Sequence, residues 1–321
     1  MTAGVAVIVG CGNIGSRHLQ SLLVSRYVQS IHVVEPIEAA RALAQQRAAE
    51  VGGHDKALTF GVDFDAMPDH VDVVVIATAA AERRTAFEAV LGRAHIANVV
   101  FEKFLFPRLA DYAAVAQALE REGIAAWVNC PRRVWPSYQV VREAFHGHDQ
   151  VTLRLTGSAW GLASNAVHAF DTFDFVTGNE VEAVLTERLD PLSGESKRSG
   201  YSEVFGTLVG EAGHSCRAEL TCYRDGGLER LTEYVSPQTR VLIDEKRGRA
   251  LWSRAGEDWQ IEAFPPLNVS ELAFVFDELL IRGGCGLPQF AVSARLHQLV
   301  LRAFGRHLGC DVEGGEGCLI T

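Results

Sequence analysis

The sequence predicts an α/β protein: an N-terminal doubly wound parallel sheet, then a C-terminal α+β domain with a mainly antiparallel sheet. Three observations carry this expectation. Short charge-free runs rich in β-branched residues, such as Val5–Val9, read as strands covered on both faces. Helical stretches alternate with these runs through residue 129, the rhythm of a parallel sheet. Beyond residue 150 the apolar residues change to period two: Cys216, Ala218, Leu220 and Cys222 fall on one face of a strand, Arg217, Glu219 and Thr221 on the other. The 321 residues fit two domains, divided here as 1–129 and 130–321.

The first strand, Val5–Val9, runs into Gly10-Cys-Gly-Asn-Ile-Gly15, a G-x-G-x-x-G turn that opens a helix ending near Arg26. Each glycine has its own reason. Gly10 turns the chain off the strand, Gly12 leaves room for a pyrophosphate at the backbone, and Gly15 lets helix and sheet pack closely. Amides around Asn13 and Ile14, at the positive end of the helix dipole, then face the phosphates. Ile31–Glu35 is the second strand. A carboxylate at Glu35 accepts the adenosine ribose hydroxyls and repels a 2′-phosphate, which favours NAD over NADP; Arg41, one turn on, leaves NADP possible. Pro36–Glu50 is a helix and Ala57–Phe60 an edge strand. Val71–Ala77 is a buried strand, and Thr78–Ala81 lies at its ligand-binding carboxyl edge. Glu82–Leu91 is a helix, Ile96–Phe101 a strand ending in Glu102-Lys103, Leu109–Glu120 a helix and Ile124–Asn129 the sixth strand.

In the second half, Val134–Phe145 is a helix and Val151–Thr156 a strand. A helix over Ser164–Phe175 puts His168, Asp171 and Phe175 on one face. Strands follow at Val181–Leu189, Ser202–Val209, Ser215–Tyr223, Leu228–Val235 and Thr239–Asp244. Asp225-Gly-Gly227 reads as a hairpin turn between two of them. Pro191–Gly200, with Lys197-Arg198, is polar and reads as a mobile loop. Ser270–Ile281 and Gln289–Leu308 are amphipathic helices.

Composition narrows the function. An apolar share of 48% with 22% charged residues fits a soluble globular chain with a sizeable core. Lys and Arg number 30 against 40 Asp and Glu, and the resulting charge of −10 argues against nucleic acid or a membrane as partner. No apolar run approaches the roughly 20 residues of a membrane span. No basic region precedes the first apolar run, so it reads as a strand, not a signal peptide. Seven cysteines without a C-x-x-C pair read as reduced thiols, and the expected compartment is the cytoplasm. His146-Gly-His148-Asp149 has donor atoms for a metal, but without a further ligand cluster it reads as a solvated turn, and no metal is expected.

Gly10-Cys-Gly-Asn-Ile-Gly-Ser-Arg-His18, Val74-Val-Ile-Ala-Thr78 and Glu102-Lys103 together resemble the glucose–fructose oxidoreductase, inositol dehydrogenase and MocA family. That family also has a histidine three residues past the last glycine and a Glu-Lys-Pro motif after its fifth strand. The resemblance extends over nearly the whole chain, since His168-x-x-Asp171 matches a motif of its second domain. Phe104 stands where the family has the motif's proline. Arg83 or Arg84 stands where it often has a histidine, and Ser164 where many members have an aspartate.

The resemblance implies an NAD(P)-dependent oxidoreductase that moves hydride between nicotinamide and a carbinol or keto carbon of a sugar, cyclitol or sugar derivative. A lysine at a strand end can stabilise alkoxide-like charge, which makes Lys103 the first catalytic candidate. His168 is the candidate for the proton, with Asp171 orienting it or touching substrate. Glu102 is assigned with Gly10, Gly12, Asn13, Ile14, Gly15, Glu35, Ala77 and Thr78 to the cofactor. Arg133 in the Asn129-Cys-Pro-Arg-Arg133 linker, Trp160 and Asn165 are assigned to the substrate; paired guanidinium groups suit a carboxylate or phosphate. A homodimer or homotetramer through the open face of the C-terminal sheet is implied as well. Two alternatives stay open: an imine or enamine reductase on the same scaffold, and a non-catalytic dinucleotide-binding sensor.

Overall fold

The computed structural model describes residues 4–195, 200–213, 215–315 and 317–320. Lys197 and Arg198 lie outside these. Two compact units form. The first contains Met1–Phe106, Ala110–Pro131 and Leu267–Val292, and the second Pro107–Leu109, Arg132–Pro266 and Ser293–Thr321. The division therefore differs from a single cut after residue 129, because the chain returns to the first unit late. Among the described residues no helix is long and apolar enough to cross a membrane.

The first unit is built on strands β1 (Gly4–Val9), β2 (Val28–Val34), β3 (Ala57–Gly61), β4 (His70–Ile76), β5 (His95–Phe101) and β6 (Ala125–Val128). They form one parallel sheet in the order β3-β2-β1-β4-β5-β6. Helices α1 (Gly15–Val24), α2 (Glu38–Val51), α3 (Ala80–Leu91) and α4 (Leu109–Glu122) alternate with the strands. The order reverses at β1. Ile31–Val34 pairs with one side of β1 and Val73–Ile76 with the other. Crevices of open sheets form at such a reversal, beyond the carboxyl ends of the strands. The apolar runs read as strands are the core here: Ala6–Ile8, Val73–Ile76 and Val99–Phe101 are fully buried.

The returning segment carries the seventh helix, α7 (Ala273–Arg282), which packs on α1. Its stripe Val275, Phe276 and Leu279 is buried. Asp277 accepts hydrogen bonds from the Ser25 hydroxyl (2.5 Å) and the Arg26 amide (3.0 Å), closing the end of α1. The Val128 amide then donates to Pro288 at 3.0 Å, and Trp127 bridges to Gln289, so this segment also covers the β6 edge.

The second unit carries α5 (Pro136–Phe145), β7 (Thr152–Ser158), α6 (Leu162–Thr177), β8 (Ala183–Leu189), β9 (Gly194–Glu195), β10 (Ser202–Glu203), β11 (Gly206–Ala212), β12 (Cys216–Tyr223), β13 (Leu231–Val235), β14 (Thr239–Asp244), β15 (Arg249–Arg254), β16 (Gln260–Ala263) and α8 (Phe290–Leu308), whose first residues belong to the first unit. Eight strands form one sheet in the order β16-β15-β14-β13-β7-β12-β11-β8. Only β7 and β12 run parallel; every other neighbouring pair is antiparallel. Its inner face buries Leu153, Leu220, Tyr234 and Trp252. The outer face is a charge ladder in which Arg154 pairs with Glu219 (3.7 Å) and Glu233 (3.1 Å), and Glu233 with Arg240 (3.1 Å).

Three expectations are corrected. Asp225-Gly-Gly227 is not a hairpin turn, because β7 lies between β12 and β13 and the connection must cross its end. The Ser158 hydroxyl holds that crossing, donating to the Asp225 carbonyl at 2.9 Å and accepting from the Leu228 amide at 3.1 Å. The segment Pro191–Gly200 is not all loop, since Gly194–Glu195 pairs with Ser202–Glu203. The strand expected over Ser202–Val209 is divided into β10 and β11 at Val204-Phe205.

Candidate active site

The glycine turn leaves β1 as its spacing requires. Gly10 has φ +81°, and a Cβ there would lie 2.9 Å from the Thr78 amide nitrogen. A Cβ on Gly15 would lie 2.0 Å from the Gly10 carbonyl oxygen, an impossible contact. A Cβ on Gly12 would meet nothing within 4 Å. The turn is therefore closed beneath and open above, where a pyrophosphate would lie. Asn13 and Ile14 are exposed in the turn ahead of α1. Arg47 donates to the Asn13 carbonyl (2.6 Å) and the Ser16 hydroxyl (2.7 Å), which fixes that turn.

Glu35 follows β2 and is 5% exposed. Its Oε2 accepts from the Cys11 amide (2.7 Å) and its Oε1 from the Ile37 amide (2.9 Å). Each oxygen keeps a lone pair for a ribose hydroxyl. Burial and Glu35 push the Cys11 thiol up to about 12, so it stays protonated beside the turn. One terminal nitrogen of Arg41 donates to the Glu35 and Pro36 carbonyls, both at 2.7 Å. Ala77 donates to Val9 at 2.8 Å, joining the ends of β1 and β4. The buried Thr78 hydroxyl beside the turn has no hydrogen-bond partner among the described residues. This cradle of open Gly12, spare Glu35 lone pairs and an unused hydroxyl fits a dinucleotide.

Glu102 follows β5 and is 5% exposed. Its Oε1 accepts from His18 Nε2 at 2.8 Å and Asn129 Nδ2 at 2.6 Å. Burial alone would raise this carboxyl; the hydrogen bonds from His18 and Asn129, with the charge of Arg83, overcome that and hold it below the usual range. It is therefore an ionised acceptor inside a buried network. Phe276 of α7 packs against the His18 ring at 6.1 Å and 75°. Glu102 Oε2 accepts from the Lys103 amide at 3.2 Å, so the network fixes the backbone that carries Lys103. Arg83 of α3 is 3% exposed and donates to the carbonyls of Thr78, Phe104 and Leu105 (3.0 Å to the last). It ties the loop after β4 to the loop after β5, whereas Arg84 points outward to Glu88 and Asp111. The Lys103–Phe104 peptide is cis although Phe104 replaces proline.

In the second unit His168 and Asn165 on α6, and Trp160 just before it, line one narrow crevice against the inner face of the sheet. Trp160 Nε1 donates to the Thr221 carbonyl (2.9 Å), which fixes the indole. Asn165 Nδ2 donates to the Trp160 and Gly161 carbonyls (3.2 and 2.9 Å), closing the start of α6. Asp171 is 1% exposed, and Arg133 Nε donates to both its oxygens at 2.9 and 2.8 Å. Burial pushes the Asp171 carboxyl up, and Arg133 offsets part of that rise. Two residues assigned separately, one to the proton and one to substrate, are thus ion-pair partners. Sequence reasoning passed over Glu245, Tyr138 and Arg230, which also line the crevice. No local signal marks them, because they come from three separated segments. Among the described residues no cluster of three or more His, Cys, Asp or Glu could hold a metal.

Residues 5–130 match the model described as oxidoreductase family, NAD-binding Rossmann fold (GFO_IDH_MocA). Over this span the chain is similar to that family. No curated protein matches the chain in sequence. Solved structures share the fold of this chain at low identity. UDP-N-acetylglucosamine 3-dehydrogenase GnnA from Acidithiobacillus ferrooxidans is 15% identical with TM-score 0.71, covering 94% of this chain and 97% of its own. An oxidoreductase from Agrobacterium radiobacter, in complex with NAD+, L-tartaric acid and magnesium, is 16% identical with TM-score 0.73, covering 97% and 98%. The super-repressor mutant of Gal80p from Saccharomyces cerevisiae is 11% identical with TM-score 0.71, covering 96% of each chain. All of the matched span but Pro107–Leu109 lies in the first unit, whose sheet and glycine turn are those of an NAD-binding Rossmann fold.

Proposed function

We propose that this oxidoreductase transfers hydride between NAD and a carbinol or keto carbon of a sugar, cyclitol or sugar derivative. The observation that carries the reading is the anchoring of Lys103. It leaves β5 at the carboxyl edge of the parallel sheet, on a backbone held by Glu102, His18 and Asn129. In this reading the Lys103 ammonium hydrogen-bonds the substrate oxygen and stabilises the negative charge that builds on it. His168 takes up the hydroxyl proton in oxidation and returns it in reduction. Arg133 keeps Asp171 neutralised. The preference for NAD over NADP is supported by Glu35, whose buried carboxylate would repel a 2′-phosphate.

The test is a Lys103→Met variant beside wild type, assayed with a panel of sugars, cyclitols and their keto forms and with NADP+ replacing NAD+ in parallel. The expected result is unchanged NAD+ binding with hydride transfer reduced at least about a hundredfold. Retained transfer removes Lys103 from the chemistry. A second reading, a dinucleotide-binding sensor, is favoured by the Asp171–Arg133 pair, which occupies a carboxylate that a proton relay would use. Tight NAD+ binding with no turnover across the panel selects it.

A further inference from the structure

The crevice in the second unit has an unbalanced charge. Two guanidinium groups line it, Arg132 and Arg230, and one carboxylate, Glu245. Glu245 is saturated. Its Oε1 accepts from Arg132 Nε (2.7 Å) and the Tyr138 hydroxyl (2.7 Å), and its Oε2 from a terminal nitrogen of Arg132 (2.8 Å) and one of Arg230 (2.5 Å). Burial opposes ionisation of Glu245, but Arg132 and Arg230 hold it down at about 2, so it stays charged at any physiological pH. One positive charge is left over.

That surplus belongs to Arg230. Arg132 spends two nitrogens on Glu245, and Arg133 is occupied by Asp171. Arg230 gives Glu245 one terminal nitrogen. Its Nε and second terminal nitrogen have no hydrogen-bond acceptor among the described residues, and its side chain is 29% exposed. A Cβ on Gly157 would lie 2.9 Å from the Arg230 Cα, so the backbone is seated tightly under this arginine. A guanidinium held from one side, with its remaining donors open, matches an incoming pair of anionic oxygens. Trp160, Asn165 and His168 line the same crevice.

We propose that the substrate of this oxidoreductase carries an anionic group, a carboxylate or a phosphate, and that the part-exposed Arg230 docks it at the edge of this crevice. The inference rests on the carbohydrate reading above and names the class of carbohydrate. The test is titration calorimetry of the full chain saturated with NAD+, using D-glucuronate, D-glucose 6-phosphate and D-glucose as probes. At least one anion is expected to bind about tenfold more tightly than glucose, and the tighter of the two identifies carboxylate or phosphate as the source. Arg230→Gln is expected to abolish that preference and leave the NAD+ dissociation constant unchanged. Arg230→Lys, which keeps the charge and the fold but not the fork, is expected to retain part of it.

Equal binding of all three probes, no measurable binding of either anion, or a preference that survives Arg230→Gln overturns the proposal. Calorimetry needs no turnover. An anion preference in a protein whose Lys103→Met variant still transfers hydride would therefore sink the Lys103 role and leave the docking role standing.

Discussion

Asp174 shows how one buried carboxyl governs pH response. It accepts from the Val181 amide at 2.9 Å, and Arg295 lies 3.6 Å away. Burial raises it to about 7 from 3.8, with the neighbouring Asp171 adding to the rise. Between those two values the folded chain binds the extra proton. Stability from this group is therefore highest at low pH and falls as pH rises from about 4 through about 7. Asp174→Asn keeps an acceptor for Val181 without the charge. It is expected to stabilise the chain by roughly 2 kcal/mol at pH 8 and by little at pH 4.5, read from denaturant melts at both pH values. A variant equally stabilised, or destabilised, at both would remove Asp174 from the pH response. At this scale the sequence was informative where chemistry is local. Lys103 and Glu35 sit at strand ends that apolar runs announce. The partnerships of Glu102 with His18 and of Asp171 with Arg133 join distant positions, and no spacing rule reveals them.

Among elements, the turn from β1 into α1 separates the duties of its glycines. Gly12→Ala adds a methyl group into open space and should leave the melting temperature within about two degrees, while NAD+ affinity falls about tenfold or more. Gly15→Ala drives a methyl group onto the Gly10 carbonyl and should cost several kcal/mol of stability, on the order of an overpacked core site. Thermal melts with NAD+ titration check both; equal effects of the two changes would refute the division. Parallel strands were legible because burial on both faces makes them continuous apolar runs. By contrast β15 and β16 were missed. Arg249–Arg254 begins and ends in arginine, and Gln260–Ala263 is short and exposed along its length. Their strand character comes from pairing, β15 with β14 and β16 with β15.

The whole molecule is two units, and the first is assembled from three segments of the chain. The amphipathic stripe of α7 was plain in the sequence, but a stripe does not say which surface it covers. Phe276 packs on His18, and Asp277 closes α1, so the first unit is incomplete without this segment. A fragment ending at Pro131 is expected to aggregate or bind NAD+ at least about tenfold more weakly than the full chain, since burying each of Val275, Phe276 and Leu279 is worth roughly 2 kcal/mol. Appending Leu267–Val292 through a flexible linker should restore binding. A Pro131 fragment that is monomeric with full affinity would show that α7 is dispensable.

The position of β7 constrains how the second sheet can be assembled. Its hydrogen-bonding neighbours, Arg217–Tyr223 and Leu231–Val235, come far later in the chain. A polypeptide emerging from the ribosome therefore carries β7 with both flanks bare until those segments follow. Closing such loops costs entropy before any pairing rewards it. Synthesis halted anywhere between Ser158 and Leu231 leaves a template to which another copy's strand can attach, so this stretch is an interval exposed to misassembly.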